Sequence, residues 1–169
     1  MIDIVFGNET APPLLKIGLV PFDNTVNIGT ANAAYVTDPS TYDWNGSSWQ
    51  GCVMARANPD DISDSDIASG GKWLPFWNAQ SSNRNKYCPR PITPLTNDRT
   101  LLESEINAMS PLGSTHINLG AAWGWRVLSP QAPFTQGTSY SDPDWNKAAI
   151  ILTDGDNTMI DSFYSAYGL

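Results

Sequence analysis

Asp154, Asp156 and Thr115 are the residues whose types and settings point first to chemistry. Asp154 is the first carboxylate after the most apolar run of the chain, residues 147–153 (KAAIILT), and Gly155 behind it lets the backbone turn sharply. Thr115 lies in a loop just ahead of a helical pattern. In an open α/β sheet, ligands bind outside the carboxyl ends of the strands, so Asp154 and Thr115 belong at one rim. A carboxylate and a hydroxyl, completed by water, are hard oxygen ligands suited to Mg²⁺. On chemistry alone a plainer account is better: Asp154 caps a turn and Thr115 caps the helix.

Other constellations carry less. His116 is the only histidine, so neither a Ser/His/Asp triad nor a His-rich zinc site can be assembled. It reads as a loop histidine without a metal role. Asp142 and Asp144 (SDPDW) read as a solvated Pro-rich turn rather than a catalytic pair, and a hydrolase built on Asp154 and Asp156 lacks a partner base. Trp44, Trp49, Trp73 and Trp77 sit among Asn, Ser, Gly, Asp and Pro. They could present a sugar-binding face, but a small satellite core explains them better, because aromatics supply the buried area that irregular chain lacks.

The elements that would position these residues follow from pattern. Residues 14–22 (LLKIGLVPF) read as a buried strand ending at Pro21. Residues 31–97 hold no sustained period. A featureless loop of that length is improbable, so this segment is expected to be an insertion of short strands and turns. Residues 98–110 (DRTLLESEINAMS) form the clearest helix, with Leu102, Ile106 and Met109 on one face and Asn97 or Asp98 as cap. A second helix spans 118–128 (NLGAAWGWRVL), where Gly120 and Gly124 suggest close packing, and Ser129-Pro130 ends it. The run 147–153 reads as the middle strand of a parallel sheet, buried on both faces. The order strand, insertion, helix, helix, strand predicts one α/β domain over 1–169, a mostly parallel sheet flanked by helices.

Composition limits the function. The 169 residues are enough for one domain with a real core, and 41% are apolar. The net charge of −8, with no cluster of Lys or Arg, argues against nucleic-acid binding. No apolar run reaches membrane-spanning length, and residues 1–10 (MIDIVFGNET) lack the basic and apolar regions of a signal peptide. Cys52 and Cys88 lie in a segment short of regular backbone, where a disulfide would help and would imply an oxidising compartment; the alternative is two buried free thiols.

Ile151-Leu152-Thr153-Asp154-Gly155-Asp156-Asn157 resembles the fourth-strand motif of von Willebrand factor A domains, and Gly113-Ser114-Thr115 resembles their threonine-bearing loop. Longer phrases resemble TadG-like proteins of the tight-adherence (Flp) pilus system. These are Lys16-Ile17-Gly18-Leu19-Val20-Pro21-Phe22, Gly51-Cys52-Val53-Met54-Ala55-Arg56, Cys88-Pro89 with Pro94-Leu95-Thr96, and Thr115-His116-Ile117-Asn118-Leu119-Gly120. The resemblance implies a Rossmann-like von Willebrand factor A domain, partial at both ends, with a Trp-rich insertion at about 31–97. It implies a metal-ion-dependent adhesion site for Mg²⁺, or Mn²⁺ or Ca²⁺, with Thr115 and Asp154 as ligands and Ser114 and Asp156 as outer partners. The site would capture an acidic side chain of a protein partner, a pilus or envelope component, outside the cytoplasm, and the parent protein would be membrane-anchored. The DxSxS loop of such sites should precede residues 16–22 and is not there, so metal affinity is expected to be weak or absent. Asp61-Ile62-Ser63-Asp64-Ser65 matches DxSxS by letter but follows no apolar strand, and reads as a coincidence.

Overall fold

The computed structural model describes residues 2–153 and 155–158, and its regular elements are short. In chain order they are α1 (Ile2–Phe6), β1 (Ile17–Leu19), β2 (Val26–Asn27), β3 (Cys52–Val53), α2 (Ile67–Gly70), β4 (Thr93–Thr96), α3 (Arg99–Asn107) and α4 (Ile117–Leu128). Strand β1 pairs antiparallel with β4, Ile17 opposite Thr96 and Leu19 opposite Thr93, with a register shift between. Strand β2 pairs antiparallel with β3, Val26 opposite Val53 and Asn27 opposite Cys52. The described residues are therefore mixed α and β, and among them the expected mostly parallel, Rossmann-like sheet does not form. Both sheets are two-stranded and antiparallel.

Residues 147–153 account for much of that difference. They are irregular, and Ile150, Ile151 and Leu152 stand 66%, 51% and 73% exposed. An apolar run becomes a central strand only where neighbours take up its amides and layers cover both faces. Among the described residues no strand pairs with it.

Helix α4 lies across β1. A Cβ on Gly18 would fall 2.7 Å from Val127 Cγ1, and one on Gly120 would fall 2.6 Å from the Phe22 ring. This is the close approach that a glycine in a helix suggests. Gly124 differs, since a Cβ there meets nothing within 4 Å.

The Trp-rich segment is part of the main core rather than a satellite. Val36, Trp44, Trp49, Val53 and Trp73 pack in one cluster with Val26, Ile28, Ile92, Leu119, Trp123, Val127 and Phe134. The satellite is elsewhere: Ile2 and Phe6 of α1 meet Leu102 of α3. Asp98 caps α3 by accepting from Leu101 N at 3.0 Å. Arg99 grips Glu103 at 2.7 Å and also pairs with Asp3 of α1. Ile106 and Met109 remain exposed, so α3 buries only the start of its apolar face.

Asn27 organises the second sheet. Its Nδ2 donates to Pro89 O at 2.9 Å, its Oδ1 accepts from Gly29 N at 2.8 Å, and its carbonyl accepts from Ile92 N at 2.7 Å. The Cys52–Cys88 disulfide, Cα atoms 5.6 Å apart, locks the same junction. Gly51 closes it at φ 104°, where a Cβ would overlap Asn27 Oδ1.

Two outcomes follow. Reducing the disulfide, or Cys88→Ser, should lower unfolding free energy by roughly 3–4 kcal/mol in denaturant titrations, since the bridge closes a long loop. Gly120→Ala should cost about 1–3 kcal/mol by overpacking against Phe22, while Gly124→Ala should gain up to about 1 kcal/mol of helix propensity. Thermal melts of the two variants should move in opposite directions.

Candidate functional site

Helix α4 brings the 113–117 loop to the 155–158 loop. Thr115 N donates to Thr158 Oγ1 at 2.9 Å, Thr158 N donates to Thr115 O at 2.9 Å, and Ile117 N donates to Asn157 Oδ1 at 3.0 Å. His116 occupies the capping position of α4 but makes no side-chain cap, so Asn157 satisfies one of the helix's first amides from forty residues away. The expected Thr115 cap is therefore absent. Ser114 and Thr115 are half-buried, and the Thr115 hydroxyl lies 3.6 Å from where a Gly155 Cβ would stand. Asp156 is exposed. Asp154 lies outside the described residues.

The described atoms are the right kind for a hard cation. Ser114 and Thr115 offer hydroxyl oxygens, and no group of three or more His, Cys, Asp or Glu gathers among the described residues. The letter match at residues 61–65 adds nothing to them. There the Ser63 and Ser65 hydroxyls lie 3.3 and 3.4 Å from Arg56 Nη2, and the Ser63 carbonyl accepts from Arg126 Nε at 3.0 Å. Asp64 Oδ2 accepts from Ser129 and Tyr140, each at 2.6 Å. Two guanidiniums already occupy the positive role in that loop, and a divalent ion would have to displace them.

Three of the four indoles of the Trp-rich segment lie in the core. Trp44, Trp49 and Trp73 are buried, and Trp44 and Trp49 donate to Pro39 O and Cys52 O, both at 2.7 Å. Trp77 is half-buried and donates to Asp43 O. Asp142 and Asp144 form an ordinary turn, with Asp144 N donating to Asp142 Oδ1 at 3.0 Å.

A different group collects below the 113–116 loop. Asp23, Asn24 and His116 are 3%, 4% and 4% exposed. His116 N donates to Asp23 O at 3.0 Å, and His116 Nδ1 lies 3.5 Å from Asn24 O. Asp23 Oδ1 accepts from Asn24 N, while Gly113, at φ 76°, covers the carboxyl so closely that a Cβ would fall 2.4 Å from Oδ2. Burial raises the Asp23 carboxyl to about 7, partly opposed by its backbone hydrogen bond with Thr25. Burial also holds His116 below the usual imidazole range, partly opposed by Asn24. Sequence reading passed over Asp23 and Asn24, which look like turn residues, and read His116 as a loop histidine without saying that it is buried. The available signal was a carboxylate directly after an apolar run, the same cue that drew attention to Asp154.

Among the described residues no helix is long and apolar enough to cross a membrane. No family model matches the chain, and neither a curated protein nor a solved structure matches it.

Asp23 should make stability fall as pH rises. Its folded pKa, about 7, exceeds the ordinary 3.8, so the folded state holds the proton more tightly. The contribution is complete below about pH 4 and is lost as pH rises through 7, reaching roughly 4 kcal/mol if the full shift is expressed. His116 acts oppositely below its ordinary 6.5, so the slope is read as the difference between wild type and Asp23→Asn. Denaturant midpoints from pH 4 to 8 should show the variant losing that fall.

Proposed function

We propose that this chain is a non-enzymatic binding and assembly domain of a bacterial tight-adherence pilus system, working outside the cytoplasm. Its 113–117 and 155–158 loops form part of a metal-ion-dependent adhesion site that captures an acidic side chain of a pilus or envelope protein. The observation that carries the reading is the reciprocal clamp between Thr115 and Thr158, reinforced by Asn157 on Ile117 N. The resemblance assigns ligands to these two loops, and they lie some forty residues apart in sequence. The Cys52–Cys88 bridge suits an oxidising compartment.

In this reading Thr115 supplies one oxygen and Asp154 a second, with Ser114 and Asp156 as outer partners. Mg²⁺, or Mn²⁺ or Ca²⁺, would leave one position for the partner's carboxylate. The clamp fixes the Thr115 backbone, so ordering that loop costs less when the ion binds. With the DxSxS oxygens lacking, the chain alone holds the ion weakly or not at all. The von Willebrand factor A architecture belongs to the same proposal: the run 147–153 would become its central strand once a neighbour pairs with it.

The test is calorimetric titration of Mg²⁺ and Mn²⁺ into this chain and into one with a strand and DxSxS loop fused ahead of Met1. Binding is expected only in the fused form and should vanish with Thr115→Ala. Failure of both forms to bind, or binding indifferent to Thr115→Ala, would overturn the reading.

A further inference from the structure

Residues 148–152 (AAIIL) are apolar in unbroken succession, all five are exposed, and they contain neither a charge nor a proline. Among the described residues no backbone hydrogen bond reaches them. Charges and prolines are what guard an open strand edge, because bare amides and carbonyls otherwise pair with another chain. The nearest guard is drawn away: Lys147 Nζ donates to Leu128 O at 2.7 Å and to Thr138 O, and lies 4.2 Å over the Tyr140 ring. The exposure is imposed from both ends. Lys147 is tied to the last turn of α4, while Asn157 and Thr158 are tied to Ile117 and Thr115 at its start. The run is thus strapped along the helix, and ordering it against a partner costs less than ordering a free tail. Trp125 and Tyr140, both exposed and joined by Trp125 Nε1 donating to Tyr140 OH at 3.0 Å, extend the apolar surface beside Lys147. Contiguous exposed apolar surface of this kind marks an interaction site.

We propose that residues 148–152 pair antiparallel with the same residues of a second copy of this chain, about a twofold axis at Ile150. The run is its own complement. In that register Ala148 faces Leu152, Ala149 faces Ile151 and Ile150 faces its counterpart, so apolar meets apolar at every level. Parallel pairing in register would instead set Lys147 against Lys147. Two chains of charge −8 repel over much of their surface, and a stretch free of carboxylates is where they can touch. Five residues a side cover less than the roughly 800 Å² of a standard interface, so the dimer is reversible. The inference shares its run with the adhesion-site reading but uses neither the ion nor the fused strand, and it is tested on the unfused chain without divalent ions.

Cysteine cross-linking reads the register directly, because Cys52 and Cys88 are already paired and an introduced thiol is the only free one. Opposite residues of antiparallel strands stand about 4.5–5.5 Å apart at Cα, within disulfide reach. The full chain carrying Ile150→Cys is therefore expected to form a covalent dimer under mild oxidation, seen on non-reducing gels. Ala148→Cys alone sets its two thiols roughly 14 Å apart along the strands and should stay monomeric. An equal mixture of Ala148→Cys and Leu152→Cys should give the mixed dimer. In sedimentation velocity the mean mass of the wild-type chain should rise with concentration toward twice the monomer, and Ile151→Lys should abolish the rise. Wild type that stays monomeric at every concentration would overturn the inference and leave the run to a strand of another protein. Equal cross-linking at 148, 150 and 152, or association that survives Ile151→Lys, would also overturn it. Sedimentation is read on the wild-type chain, so a variant that fails to fold does not blunt the result.

Discussion

Two arginines stacked on Trp73 join the irregular segment to helix α4, and much of the remaining structure is arranged around that stack. The Arg56 guanidinium lies 4.4 Å and that of Arg126 5.7 Å from the Trp73 ring centre, and Arg126 is also 5.1 Å from Trp123. The two indoles stand 5.0 Å apart. Desolvated cation–aromatic contacts of this kind are worth about 2 kcal/mol or more, but they require every guanidinium N–H to find an acceptor. Residues 60–71 supply carbonyl acceptors: Arg56 donates to those of Asp60, Ser65 and Gly71, and Arg126, through Nε and Nη2, to those of Asp60, Asp61 and Ser63. A segment with few backbone partners of its own and two cations without water thus satisfy one another. Burial brings Arg126 down to about 10, with the neighbouring Arg56 adding to the fall and Asp61 and Asp64 opposing it.

That stack also sets the direction of α4. Arg126 fixes its last turn, where a cation complements the helix dipole. Gly120 lets its middle settle on Phe22, and Asn157 holds its first amide. The 113–117 loop is the remaining end of this lever, so its position against Asp23 and Thr158 follows from packing more than from its own sequence.

How much of this was legible depends on how local each cause is. The extent of α4 depends on neighbours within a few residues and could be read directly, whereas the Cys52–Cys88 bridge and the Asp98 cap were each one of two open readings, the other being free thiols and Asn97. The coincidence at residues 61–65 was also readable, because a ligand loop needs a strand before it and Ala55-Arg56-Ala57-Asn58-Pro59-Asp60 is not one. What the letters could not convey was the arginine filling that makes the loop structural. The parallel sheet failed as an expectation for the same reason: the run at 147–153 has the composition of a central strand, yet strand formation is a property of pairs. The Trp-rich segment was read as a satellite because it lacks period, whereas burial of Trp73 depends on Trp123, fifty residues away.

Charge distribution explains why one acid in this chain stands apart. The sequence has 17 acidic and nine basic Lys and Arg residues, and the cations are committed unevenly. Arg56 and Arg126 both face the acids at 60–66, Arg99 holds Asp3 and Glu103, Arg90 holds Glu105, and Arg84 lies near Asp43. Asp64 draws further support from Ser129 and Tyr140, and its carboxyl is held below the ordinary carboxylate range. Asp23 receives none of this, yet it is among the most buried acids. A carboxylate enclosed without a cation is stable only if it keeps its proton or borrows a charge from outside the chain. Burial favours the first course, lifting the Asp23 carboxyl to about 7, and backbone contacts tie the 113–116 loop down over it: His116 N donates to Asp23 O at 3.0 Å, and Gly113 leaves no room for a side chain beside the carboxyl.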